Sequence, residues 1–164
     1  MQSVNELETP IQSDTRRCEQ EWRDFFKANC NVVFQTALLL TADATAAEAA
    51  VTESIDSLDI SSRPPEQRNM AAWEKAVVVR SIETSRLPSS AANSVTRSML
   101  HPGLLPVIQI ERFPRICFVL RMLLGYSTAL CAQILGVEES HVRMLFQMAA
   151  LQLQQKVVGN RLPA

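Results

Sequence analysis

Ser140, His141, Arg143 and Gln147 are the side chains whose types and spacing best fit a definite chemistry in this 164-residue chain. Arg143 and Gln147 lie one helical turn apart, so a helix carries both on one face. A guanidinium there can donate twice to a guanine edge, and a carboxamide can pair with an adenine edge. Ser140 and His141 add shorter donors and acceptors one turn earlier. The plainer alternative is that Arg143 is a solvated surface residue. Elsewhere the chain offers little reactive chemistry. It has no Gly-rich phosphate loop, no Ser/His/Asp ordering and no paired carboxylates beside a histidine, so the expectation is a protein that is not an enzyme.

The elements that must position these residues are legible around them. Ala129, Leu130, Ala132, Ile134 and Leu135 follow helical spacing into Gly136, which suits a left-handed helix end. Val137 is placed to plug the junction of two helices. A second helix opens at Glu138-Glu139-Ser140, with Val142, Leu145, Phe146 and Ala149 on one face. Two short helices around a glycine turn make a helix-turn-helix, whose second helix commonly enters the DNA major groove. An ordinary helical corner has the same pattern. Met144, Leu145, Phe146, Met148 and Leu151 make the second helix apolar almost all round, which predicts cover on a second face by a partner or by the front half.

The residues leading into this unit sharpen the reading. Arg115, Phe118, Leu120, Arg121, Gly125, Ser127, Ala132, Ile134, Leu135, Gly136, Val137, Val142 and Ala149 form an ordered, gapless set. With them, the region resembles the C-terminal promoter-binding part of the extracytoplasmic-function sigma factors of bacterial RNA polymerase. The resemblance implies that Ser140, His141, Arg143 and Gln147 are the DNA-binding residues. It departs from the family at Leu145, Met148 and Ala150, where basic side chains would be expected.

The front half resembles the same family more faintly. Asp43-Ala-Thr-Ala-Ala47-Glu48-Ala49-Ala50-Val51-Thr52-Glu53 keeps Asp43, Ala47, Glu48, Val51 and Glu53 of the segment that docks on the polymerase clamp. The resemblance implies Glu48, Val51 and Glu53 as polymerase-docking residues. Trp73-Glu-Lys-Ala76-Val-Val-Val-Arg80 resembles the family's helix beside melted promoter DNA in keeping the Trp and the helical spacing, and the resemblance implies Trp73 and Arg80 as the promoter-melting candidates. Trp73 can stack on an unpaired base, but a large aromatic at a helical core position is more often an anchor. Arg63 and Arg68, in the loop before it, are candidates for phosphate contact or plain solubility. The implied partners are core RNA polymerase, promoter DNA and, for some members, an anti-sigma protein. The alternative is a degenerate relative that no longer binds DNA and acts through protein–protein contact.

Composition sets the frame. Charged residues are 20% and hydrophobic ones 47%, so the chain is globular; only 5% is aromatic and it has 4 glycines, which favours helix over sheet. The spacing predicts helices over about 16–40, from an Asp43 N-cap to about Leu58, and over about 65–86 with Pro65 in the first turn. The expected architecture is all-α with two small helical domains, 15–87 and 107–158. They are joined by a proline- and serine-rich linker over 88–106, with one helical turn near Val95–Leu100. Residues 1–14 read as a mobile tail. No apolar run is long enough to span a bilayer and the acidic start lacks an apolar signal core, so the expectation is a cytoplasmic protein with no membrane contact. Cys18, Cys30, Cys117 and Cys131 lack metal-ligand spacing with His101 or His141, so no metal and no cofactor is expected. Residues 1–98 carry 10 Lys/Arg against 14 Asp/Glu, and 99–164 carry 6 against 3, a modest basic surplus for a DNA-binding end.

Overall fold

The computed structural model describes residues 10–58, 60, 63–85 and 94–159. All the described secondary structure is helical, and no strand occurs among the described residues. The first block is built from α1 (Pro10–Thr41), α2 (Ala44–Ile55) and α3 (Gln67–Thr84). The polar start is therefore helical from Pro10 rather than from Arg16; residues 1–9 lie outside the described residues. Cys18, Trp22, Val33, Ala37 and Leu38 form the buried stripe of α1. Thr41-Ala42-Asp43 ends α1 as the sequence predicts. Ala42 takes φ +56, and the Asp43 side chain caps α2 by accepting from Ala46 N at 2.9 Å. α2 stops at Ile55, short of the expected Leu58, which is buried just past the helix with its N–H on Ile55 O. Pro65 precedes α3 rather than opening it. Glu66 is the N-cap, and its backbone N–H donates to the Asn69 side chain in a reciprocal box.

An aromatic cluster locks the three helices. Phe26 meets Trp73 edge to face at 5.0 Å between centroids, and Trp22 meets Phe25 in the same way at 5.5 Å. Both indoles are satisfied: Trp22 Nε1 donates to Arg63 O at 2.9 Å, and Trp73 Nε1 to Ser54 Oγ at 2.8 Å.

Of the segment 88–106, residues 94–106 are described and contain α4 (Ser94–Ser98) and a 3₁₀ turn at Pro102–Leu104. Thr96 and Leu100 are buried, and this stretch lies against the first block. Thr96 Oγ1 accepts from Ala44 N at 3.2 Å, and Gln35 Nε2 donates to Met99 O at 2.8 Å. The second block follows with α5 (Leu105–Ile108), α6 (Arg112–Phe118) running on through a π turn (Val119–Leu123), α7 (Thr128–Leu135) and α8 (Glu139–Gly159). Its buried residues Ile116, Cys117, Val119, Leu120, Cys131, Val142 and Leu145 join Val33, Leu38 and Leu40 of α1 in one continuous core. The last turns of α1 are thus wrapped on all sides, with Ala37, Leu38, Leu39 and Leu40 all buried.

Arg115 stitches this junction. It is 6% exposed and donates to Ile110 O at 3.0 Å and to Leu40 O and Thr41 O, each at 3.4 Å. The last two carbonyls belong to the end of α1, where no helical N–H reaches them and the helix dipole favours a cation. Burial, and secondarily the nearby Arg112, lower the Arg115 pKa from the usual guanidinium range to about 10, so it stays charged at neutral pH.

Candidate nucleic-acid interface

The candidate site is built on α7 and α8. Gly125 (φ +69) closes the preceding helix, and Ser127 caps α7, accepting from Leu130 N at 3.1 Å. Gly136 (φ +67) ends α7 in the left-handed region, and Val137 N returns to Ala132 O at 3.1 Å. A Cβ built on Gly136 meets nothing within 4 Å, so its dihedral angle, not crowding, calls for glycine. Val137 packs half-buried against the core at the junction. α8 leaves at Glu139 and buries Val142, Leu145 and Ala149, with Phe146 stacked on Phe118 at 6.2 Å.

Ser140, His141, Arg143 and Gln147 are all exposed on the first turns of α8. Arg143 is engaged with a neighbour, donating to the Glu139 carboxylate at 3.1 Å, and Ser140 Oγ donates to Glu138 at 3.3 Å. Two carboxylates therefore stand at the end of α8 where phosphates would approach. The basic surplus of this half is partly spent inside. Arg115 is buried, and Arg121 lies over the Phe146 ring at 5.1 Å. Arg143 and Lys156 are the exposed cations of α8 among the described residues.

Leu145 is only 7% exposed and is a core residue, so it does not belong to the second apolar face that the sequence predicts a partner or the front half to cover. Met144, Met148 and Leu151, at 46%, 37% and 61% exposure, do form an apolar surface stripe. Neither the first block nor the rest of the second covers it, so the second burial face predicted for this helix is open.

In the first block the candidates separate. Glu48 and Glu53 are exposed on α2, whereas Val51 is 7% exposed between the helices and cannot touch a docked protein. Trp73 is fully buried with its N–H on Ser54, so it serves as the anchor and has no free face for a base. Arg80 is exposed and paired with Glu83 at 3.2 Å. Trp73 and Arg80 therefore share no surface. A polar groove of about 760 Å³ opens beside Trp22, Leu58, Arg63 and Pro64, but its Arg68 is held by Glu66 at 3.0 Å.

None of the four cysteines is in a disulfide; Cys30 is exposed and Cys18, Cys117 and Cys131 are buried. Burial, then the nearby Cys131, raise the Cys117 pKa from 9.0 to about 11, against a smaller lowering by Arg121. Among the described residues no group of three or more His, Cys, Asp or Glu side chains could hold a metal ion, and no helix is long and apolar enough to cross a membrane. Arg115 is the structural residue that reading by spacing missed. Its partners on α1 lie 75 and 74 positions away, and only its place inside an otherwise apolar run (Phe113 to Leu120) hints at them. Compared with models of protein families, with characterised proteins and with solved structures, the chain matches none.

Proposed function

We propose that the chain is a sigma-type transcription initiation factor. In this reading it docks on core RNA polymerase through the exposed acids of α2 and offers the first turns of α8 to promoter DNA. The observation that carries the reading is the unit from Ser127 to Gln147. It combines a capped short helix, a left-handed glycine turn and a second helix whose opening turns expose Ser140, His141, Arg143 and Gln147. Those are the positions that the sigma resemblance implies for DNA contact. A factor of this kind works in the cytoplasm, on the polymerase.

The electrostatics set how such a factor must act. Each phosphate neutralised contributes about 0.9 to the slope of log affinity against log salt. With Arg143 and Lys156 as the exposed cations of α8, that helix supports a slope of about 2 at most. So few phosphate contacts make the free chain a weak DNA binder, and polymerase has to supply the remaining affinity. The test is promoter selection by the polymerase–chain complex. Arg143→Ala should cost about 1–3 kcal/mol and relax the preference at one base pair. Unchanged selectivity in both Arg143→Ala and Gln147→Ala would reject DNA reading by α8.

The exposed Met144, Met148 and Leu151 favour a second reading, in which the helical frame is kept, DNA contact is lost and α8 binds protein. An anti-sigma protein is one partner that this reading admits. Burial of Val51 and Trp73 weighs in the same direction, since it removes two of the residue roles that the resemblance carries.

A further inference from the structure

α8 carries three side chains able to ligate a metal on one strip of its surface. His141, Met144 and Met148 follow at intervals of three and four residues, and all three are exposed. At about 100° of turn per residue they fall within an arc of about 60°. The buried residues Val142, Leu145 and Ala149 define a different strip. Helical neighbours three and four apart hold their Cβ atoms about 5–6 Å from each other, so His141 and Met148 both flank Met144. His141 and Met144 also line one shallow depression of about 320 Å³, with Glu138 and Ser140. Helical side chains lean toward the N-terminus, so the Met148 thioether can reach back toward Met144. We propose that His141, Met144 and Met148 together bind one soft monovalent metal ion, of the copper(I) class.

The donor types set the metal. Thioether sulfur is neutral and polarisable, so it favours copper(I) over the harder magnesium, calcium and zinc ions, and imidazole suits copper as well. Cysteine and histidine spacing carries no metal site in this chain, but methionine sulfur adds two ligands to the histidine. Among the described residues none of the three side chains is held by a hydrogen bond or an ion pair, so each can turn toward an ion. The polar groups around them are engaged with one another: Ser140 Oγ donates to Glu138, and Arg143 to Glu139. Arg143 also stands at least about 100° around the helix from each ligand, which keeps its charge off the strip. The start of a helix disfavours a cation, and Glu138 and Glu139 at that end offset it. A bound ion would take His141 away from any DNA contact. The inference goes beyond the transcription-factor reading and does not rest on it.

Silver(I), a redox-inert stand-in for copper(I), tests it on the full chain carrying Cys30→Ser, which removes the exposed thiol. The readout is the NMR signal of each methionine ε-methyl group. Met144 and Met148 should shift together, with one dissociation constant and saturation at a single ion, while helical circular dichroism holds. Met70, Met99 and Met122 should stay in place, and zinc should move none of them. Met144→Leu, Met148→Leu and His141→Gln should each weaken binding about tenfold or more, since each removes one arm of a chelate. Calorimetry with the same silver solution should lose one binding event in the Met144→Leu/Met148→Leu double variant, which separates this site from ions taken by the remaining thiols. The proposal is overturned by unmoved Met144 and Met148 methyls, by methyls that titrate independently, or by equal shifts at Met99 and Met122. Full affinity in His141→Gln, or a double variant that keeps every binding event, would overturn it too.

Discussion

Arg115 gives the most demanding test of the packing argument, because its costs and gains are both large. Burial pulls its pKa down from the usual guanidinium range to about 10. Converted at about 1.4 kcal/mol per unit, that leaves a burial cost on the order of 3 kcal/mol that the surrounding carbonyls do not repay. Against it stand three carbonyl acceptors, two of them at 3.4 Å and so weakly bonded. Leaving each unpaired costs about 1 kcal/mol, the low end of the usual range. Arg115→Met keeps most of the stem packing, removes the charge and abandons the carbonyls, so the two terms nearly cancel. Urea denaturation should place it within about 1 kcal/mol of the parent. Arg115→Ala loses the stem as well, and the space left should cost about 2–3 kcal/mol. The sign with pH follows from the depressed pKa. The burial cost is fully present below about 10 and is relieved only as pH rises above it toward the ordinary guanidinium pKa, so both differences should be flat across neutral pH. A loss of about 3 kcal/mol or more in Arg115→Met, the full cost of the three abandoned carbonyls, would refute the claim that the burial cost is unrepaid. No loss in Arg115→Ala would refute the junction itself.

Three further outcomes follow from the described geometry. Gly136→Ala should cost about 1–2 kcal/mol in thermal or urea unfolding, because φ +67 places a Cβ against its own backbone although the surrounding space is open. Leu145→Arg should destabilise by more than about 3 kcal/mol and lower the Tm steeply, since the site is core and leaves the charge no partner; a stable variant with gained DNA affinity would show that the side chain reaches the surface. The raised Cys117 pKa makes its thiol harder to ionise in the fold than out of it. Stability should therefore fall as pH rises from 9 through about 11, and a Cys117→Ala variant should lose part of that fall.

How much of this was legible depends on whether the cause is local. Asp43 capping α2, Gly136 turning left-handed and the stripe Val142, Leu145 and Ala149 are set by neighbours a turn away, and spacing reveals them. The all-helical class follows from the same local periodicity. The destination of Arg115 is not local, since its acceptors belong to a helix that only the fold brings near. Trp73 and Val51 show the complementary limit. Sequence placed each on the proper helix, but exposure depends on which neighbours pack there, and packing buries both. Pro65 was expected inside the first turn of α3, yet Glu66 and Asn69 make the stronger start through their reciprocal hydrogen bonds. At the candidate site, spacing predicts cover for the apolar stripe of α8, and no part of the described chain supplies it.

Capture of core RNA polymerase by the purified chain tests the central proposal most directly. The account expects a defined complex. Glu48→Lys together with Glu53→Lys should weaken it at least about tenfold while helical circular dichroism and Tm hold, because both carboxylates are exposed and exposed charges add little to stability. A folded parent chain that fails to bind core polymerase, or a complex indifferent to the double reversal, would contradict it.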